Sequence, residues 1–297
     1  MRRTTKKTAY NKIIFFFAFI LLTLNISFNL FDISSDRNLY TFEESLTIGR
    51  IVKSEKDGLF SAAGFPGIVY DKKSSFADSI INNKELFESH SIRDLLIIHN
   101  RENQFIYYLG WEKWDIPNDY YAYTSQTGGN ALLYSILNLL LPFDHNVNIL
   151  LFRLLNGFLL TLCIFLFIGW CKRNYGMISS IIIYILIFFS PWIMYMGGSL
   201  WWSVWTYYLP FLTMLLLLEK KHNSPSKVSE NKIFFCLFTA VFLKHLLFGF
   251  EFVTTILLAI YPPIVYYYWI EKGVSHRLYY SQLKQVLLHY LLYYFKH

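Results

Sequence analysis

Two adjacent carboxylates, Glu43 and Glu44, stand shortly after the first long apolar run, within Tyr40-Thr41-Phe42-Glu43-Glu44-Ser45-Leu46-Thr47-Ile48-Gly49-Arg50. A carboxylate held at a membrane face can take the proton of an acceptor hydroxyl while a phosphate-linked group departs. The same pair also suits the solvated N-terminus of a helix, where the dipole favours negative charge. Arg153 lies inside the apolar run Leu150-Leu151-Phe152-Arg153-Leu154-Leu155-Asn156. A guanidinium there must face protein, water or an anionic head group. It can hold a phosphate or pyrophosphate by paired hydrogen bonds, or snorkel to the interface. Lys244, His245 and Glu251 share one short interval between two apolar runs, Phe242 to Phe252, and either bind a phosphate or pair with one another. The sequence has no phosphate-cradling glycine loop, dinucleotide fingerprint, zinc-protease helix or hydrolase elbow, and no His, Glu and Asp spacing that identifies a metal.

The elements that must position these groups are membrane elements. Of 297 residues 55% are hydrophobic, 20% aromatic and only 16% charged, with a mean hydropathy of +0.34, which argues against a water-solvated globular chain. A net charge of +7 raises the question of nucleic acid. The basic residues flank apolar runs, however, instead of forming a stripe with interleaved aromatics, so they read as topology signals and no nucleic-acid partner is expected. Cys163 and Cys171 lie on one expected helix, about 12 Å apart at roughly 1.5 Å per residue, too far for a bridge. With Cys236 they form no disulfide framework.

Residues 1–31 read as a basic cytoplasmic N-terminus followed by a first, uncleaved span, Ile13 to Phe31. Residues 32–146 form the one long polar stretch, an extracytoplasmic loop with helix-compatible spacing over Glu43 to Lys56 and Asp78 to His99. It ends in a juxtamembrane helix, Ala131 to Phe143. Residues 147–270 hold about five further spans, at Ile149 to Trp170, Met177 to Met196, Ser203 to Leu218, Ile233 to Phe248 and Phe252 to Ile270. This assignment makes each cytoplasmic connector basic: Lys172 and Arg173; Lys220, Lys221, Lys227 and Lys232; Lys272, Arg277 and Lys284. Residues 271–297 read as a basic cytoplasmic segment with an amphipathic or partial final helix, Leu278 to Phe295. The expected fold is an all-α integral membrane protein of about six to seven spans with a large extracytoplasmic first loop.

Five short segments complete the pattern. Tyr123-Thr124-Ser125-Gln126-Thr127-Gly128-Gly129 precedes the juxtamembrane helix, and Phe152-Arg153-Leu154-Leu155-Asn156 lies in the second span. Ser190-Pro191-Trp192 lies near the end of the third span and Leu200-Trp201-Trp202 just after it, and Phe248-Gly249-Phe250-Glu251-Phe252 separates two later ones. In this order, with the acidic pair after the first span, they resemble the polytopic membrane glycosyltransferases of the GT-C superfamily, which use polyprenyl-phosphate sugars. Glu43 stands where such enzymes usually carry Asp, and Gly197-Gly198-Ser199 lacks their Arg and Asp. The chain also ends where members commonly continue, which implies a short or C-terminally truncated relative.

The resemblance implies transfer of a sugar from a polyprenyl-phosphate donor to a glycan or lipid acceptor in bacterial cell-surface glycan assembly. The location it implies is the plasma (inner) membrane, with a cytoplasmic N-terminus and membrane lipids as partners. Glu44, with Glu43 as alternate, would be the catalytic carboxylate. Arg153, Lys244, His245, Glu251 and Gln126 would bind substrate. A divalent metal is compatible with the pattern, but no residue is assigned to it. The competing expectation is a non-catalytic, truncated membrane protein that binds or translocates lipid-linked glycans.

Overall fold

Asp144 opens the longest helix among the described residues by accepting a hydrogen bond from the Val147 N–H at 2.9 Å, and Gly176 closes it with φ 87° after Lys172 and Arg173 in the last turn. An anchored N-terminus and basic residues at the carbonyl end are the pattern that helix electrostatics favours. The computed structural model describes residues 2–34, 42–71, 103–110, 115–250 and 252–271. The expected helices Asp78 to His99 and Leu278 to Phe295, and the candidate Glu251, lie outside them.

The helices are α1 (Arg2–Phe28), α2 (Phe42–Asp57), α3 (Gly129–Leu140), α4 (His145–Tyr175), α5 (Met177–Phe188), α6 (Pro191–Gly197), α7 (Trp205–Asn223), α8 (Glu230–Phe248) and α9 (Val253–Glu271). Strands β1 (Gly67–Tyr70) and β2 (Asp119–Ala122) pair antiparallel, Gly67 opposite Ala122 and Tyr70 opposite Asp119. This ribbon is an addition to the all-α expectation. Its strands are rich in Ile68, Val69, Tyr120 and Tyr121, residue types suited to a pleated surface.

The architecture is that of a helical membrane protein, but the expected six to seven spans are too many. Among the described residues three helices are long and apolar enough to cross a bilayer: α4, α8 and Val253–Ile270 of α9. A fourth arises only if α5 and α6 count together as one broken span. The shortfall has local causes. The apolar part of α1, Ile13–Phe28, falls short of a crossing length. It stops where Asn29 turns left-handed at φ 50° and uses its side chain to bind the Ile33 N–H at 3.0 Å and the Ser34 carbonyl at 2.9 Å. Between α5 and α6, Ser190 caps a new helix with Pro191 in its first turn, and the axis bends by 64°. Helix α7 begins among Trp205, Tyr207 and Tyr208 and ends in Glu219, Lys220 and Lys221, which leaves too little continuous apolar length.

The chain divides into two compact units. The first comprises Met1–Thr206 with Phe242–Glu251. In it α1 packs along α4, while α2 packs on α3 and β1. Its core gathers Ile48, Ile51 and Val52 of α2 with Phe105, Tyr108, Tyr134, Phe152 and Leu200. Buried Arg50 closes the turn after α2 by donating to the carbonyls of Leu59 at 2.8 Å and of Ser61. Burial pushes this guanidinium below its ordinary pKa.

The second unit, Tyr207–Val241 with Phe252–His297, takes in most of α7, the start of α8 and α9. Leu212, Leu215, Ile256, Ile260 and Tyr266 are buried in it, and Lys221 meets Glu230 at 3.3 Å.

Large apolar side chains remain exposed along the helices, with Ile178 76% and Phe234 70% accessible. That surface suits lipid contact. Where α1 crosses α4 the backbones approach closely: a Cβ on Gly157 would sit 2.1 Å from Ser27 Oγ and 3.0 Å from the Thr23 carbonyl. Gly157→Ala is therefore expected to cost about 1–3 kcal/mol by overpacking, read as a lower unfolding temperature in detergent. Gly169→Ala on the same helix, where a Cβ meets only Arg173 Nη1 at 3.5 Å, is expected to leave that temperature unchanged.

Candidate functional site

Helix α2 begins at Phe42, so Glu43 and Glu44 occupy its first turn, where the helix dipole favours carboxylates. Glu44 turns inward and is 1% exposed; Arg153 of α4, 3% exposed, donates from Nη2 to Glu44 Oε2 at 2.7 Å. The other oxygen, Oε1, accepts the Leu200 N–H at 2.9 Å. Both carboxylate oxygens are thus engaged, one by a cation and one by a backbone donor. Glu43 is half-buried, and no hydrogen bond or ion pair to it occurs among the described residues.

The loop 198–204 that carries Leu200 is held by side chains from two helices. Asn156 lies one turn beyond Arg153 on the same face of α4 and donates to the Ser199 carbonyl at 2.6 Å. Its oxygen accepts from Trp205 Nε1 at 3.2 Å. Asn130, in the first turn of α3, donates to the Trp201 carbonyl at 2.8 Å and the Leu200 carbonyl at 3.2 Å. Ser203 in the same loop takes a left-handed φ of 35°. Tyr134 packs on Phe152 at 5.1 Å between ring centroids, and burial drives its hydroxyl pKa well above the ordinary value, so it stays protonated.

On the other side of this loop the turn 124–129 meets the turn after α8. Thr127 Oγ1 donates to the His245 carbonyl at 2.9 Å, with the Leu246 carbonyl at 3.0 Å. Gly129 is required there, because a Cβ would lie 2.2 Å from the Leu246 oxygen. Lys244 is fully buried and donates to the Gly249 carbonyl at 2.9 Å. The His245 ring lies 4.9 Å from that of Phe250. Gln126 is buried with its Nε2 donor lacking any hydrogen-bond partner among the described residues. Trp201 touches both sides, 5.8 Å from Tyr123 and 6.0 Å from Phe248 between ring centroids.

The structure therefore joins Glu44 to Arg153 directly and gathers Gln126, Lys244 and His245 at one junction of turns. Loop 198–204 lies between the two groups. Among the described residues no three His, Cys, Asp or Glu side chains form a group able to hold a metal ion. Sequence reasoning missed Asn130 and Asn156. An asparagine three residues after an intramembrane arginine was the available signal for the second, since that spacing shares a helix face. It also missed a polar cluster at the far end of α2. There Glu55 meets His145 Nε2 at 3.0 Å and accepts from Asn138 at 3.2 Å, while Tyr108 donates to Asn138 Oδ1. Burial, and then the Glu55 charge, raise the Tyr108 hydroxyl above its ordinary pKa.

Removing one partner of a buried ion pair leaves the other charge unmet. Glu44→Gln and Arg153→Gln are each expected to cost about 3–5 kcal/mol, measured by unfolding in detergent. The double replacement should cost clearly less than the sum, and strict additivity would show that the two side chains do not act as a pair. No protein-family model, no curated protein and no solved structure matches the chain.

Proposed function

We propose that the protein is a membrane glycosyltransferase of the polyprenyl-phosphate-sugar type, acting at the extracytoplasmic face in cell-surface glycan assembly, and that Glu43 is its base. The observation that carries this reading is the contrast between two neighbouring carboxylates. Glu44 has both oxygens engaged, whereas Glu43, one residue earlier on the same helical turn, is partly accessible. A base needs an open lone pair within reach of the acceptor hydroxyl.

In the proposed step the acceptor oxygen bonds to the anomeric carbon as the bond from that carbon to the phosphate oxygen breaks. Glu43 takes the hydroxyl proton, and polyprenyl phosphate leaves with the electron pair. Negative charge on the departing phosphate falls to His245, on a turn that buried Lys244 ties down through the Gly249 carbonyl, with Gln126 Nε2 as a neutral donor and Glu251 as a contact to substrate hydroxyls. Arg153 acts through Glu44 as a positioning residue. It holds the first turn of α2 against loop 198–204.

The mutual neutralisation of Glu44 and Arg153 also fits the second reading, a non-catalytic protein that binds or translocates lipid-linked glycans. Turnover separates the two. Reconstituted protein is expected to release polyprenyl phosphate from one member of a panel of polyprenyl-phosphate sugars. Glu43→Gln should slow that release by about 10²- to 10⁴-fold, the usual contribution of a general base, without lowering the unfolding temperature. Undiminished release by a folded variant carrying both Glu43→Gln and Glu44→Gln would sink the catalytic reading. Donor binding without turnover in the unaltered protein would select the second one.

Orientation has its own measurement. Reporter fusions after Phe143 and after Trp170 are expected to report the outer and the cytoplasmic side respectively, and the reverse pattern would remove the proposed site from the extracytoplasmic face.

A further inference from the structure

Away from the candidate site, α1, α4 and α5 leave a cleft of about 180 Å³. Phe15 and Ala18 of α1, Phe165 and Ile168 of α4, and Ile181 and Tyr184 of α5 form most of its wall. Ile168 is about 22 Å from Arg153 along α4, at roughly 1.5 Å per residue, so the cleft is separate from the chemistry proposed above.

The polar groups in the wall are already satisfied. Tyr184 O–H donates to the Ala18 carbonyl at 3.1 Å, and Ser180 Oγ to the Gly176 carbonyl at 3.1 Å. Nothing is left there to hold water, and an apolar cavity stays dry or takes an apolar guest. Ile14 and Ile181, both in the wall, are 46% exposed, so the cleft opens among side chains that themselves call for hydrocarbon.

One end of the cleft is cationic. Phe15 forms part of the wall and also carries Lys172 Nζ over its ring, 4.6 Å from the centroid. Arg173 follows in the same last turn of α4 on the adjoining face, with its Nη1 beside Gly169, and both basic side chains are exposed. A single aromatic ring thus joins an apolar slot to a positive surface. A molecule that satisfies both must have a hydrocarbon chain and an anionic head within one side-chain length of each other. In a helical membrane protein the molecule of that chemistry at hand is an anionic phospholipid.

We propose that this cleft binds one anionic phospholipid, with an acyl chain between α1, α4 and α5 and its phosphate and anionic head group against Lys172 and Arg173. The bound chain fills the gap beside α1, whose apolar stretch is itself short of a crossing length. It thereby fastens α1 to the longer α4.

The test uses full-length protein in detergent, titrated with phosphatidylglycerol or with phosphatidylcholine of the same chains. Binding is followed by native mass spectrometry and by unfolding temperature. A one-to-one phosphatidylglycerol adduct is expected, preferred over phosphatidylcholine by on the order of 30-fold for two basic side chains, together with a raised unfolding temperature. Lys172→Gln with Arg173→Gln, both at exposed positions, should abolish the preference while leaving the protein folded. Ala18→Phe should fill the slot and abolish the adduct. Equal binding of the two lipids, or a preference that survives the double glutamine variant, would overturn the proposal. So would displacement of phosphatidylglycerol by polyprenyl phosphate at lower concentration, since the cleft would then belong to a donor lipid.

Discussion

The buried pair of Glu44 and Arg153 sets the constraint that the rest of the first unit has to meet. Each ion has been taken out of water, at a desolvation cost that is recovered only when partner and hydrogen bonds are all in place. The groups come from positions 109 residues apart in the chain, and the third participant, the Leu200 N–H, comes from a loop further on. Helix α2 must therefore present its first turn to α4, and loop 198–204 must pass over the pair. The loop has no ladder of its own, so its carbonyls need donors from elsewhere. Asn130 and Asn156 supply them at 2.6–3.2 Å. Three elements are fixed relative to one another by hydrogen bonds that no hydrophobic pattern specifies.

The apolar helices solve a different problem, since between hydrocarbon-covered helices burial alone gives little reason to associate. Close backbone approach at Gly157 supplies dispersion contact along the α1 and α4 crossing. Two of the polar residues buried at the same crossing satisfy themselves locally. Thr23 Oγ1 donates to the Phe19 carbonyl at 2.9 Å and Ser27 Oγ to the Thr23 carbonyl at 2.7 Å, each within its own helix. Such back-bonded residues are small and carry no unmet donor into the interface. A more polar interior is thus tolerated at the α1 crossing without a second ion pair.

How far the sequence reveals this depends on whether a feature is local. Helix α2, expected over Glu43 to Lys56 and found over Phe42–Asp57, rests on near-neighbour spacing and was legible. The span at Ile149 was legible for the same reason, and its true ends came from caps, Asp144 and Gly176, that hydropathy ignores. The number of spans was not legible, because an apolar run does not record a bend. Met177 to Met196 is one run by composition but two helices in space, broken at Ser190 and Pro191. Ladder partners behave likewise: Val69 opposite Tyr120 is a pairing across a long separation, invisible to periodicity. In the site, Glu44, Arg153, Lys244, His245 and Gln126 stood out because charged or amide groups are costly in apolar surroundings. What each one touches depends on tertiary structure and had to be seen.

Adjacency in sequence is the clearest case of that limit. Two acidic residues in a row suggest a pair acting together, but successive side chains on an α-helix project about 100° apart and do not face each other. Once Glu44 is directed at Arg153 and the Leu200 amide, the same rotation carries Glu43 toward a different, partly exposed direction. The carboxylates are thereby given unlike surroundings by helix geometry alone, one enclosed by donors and one with access to an incoming group. An acidic doublet at a helix start can in this way give identical side chains unlike places: the inner residue anchors the helix and the outer one stays partly accessible. Any chemistry built on this turn inherits its precision from the buried residue, because the orientation of Glu43 is set by where Glu44 is held.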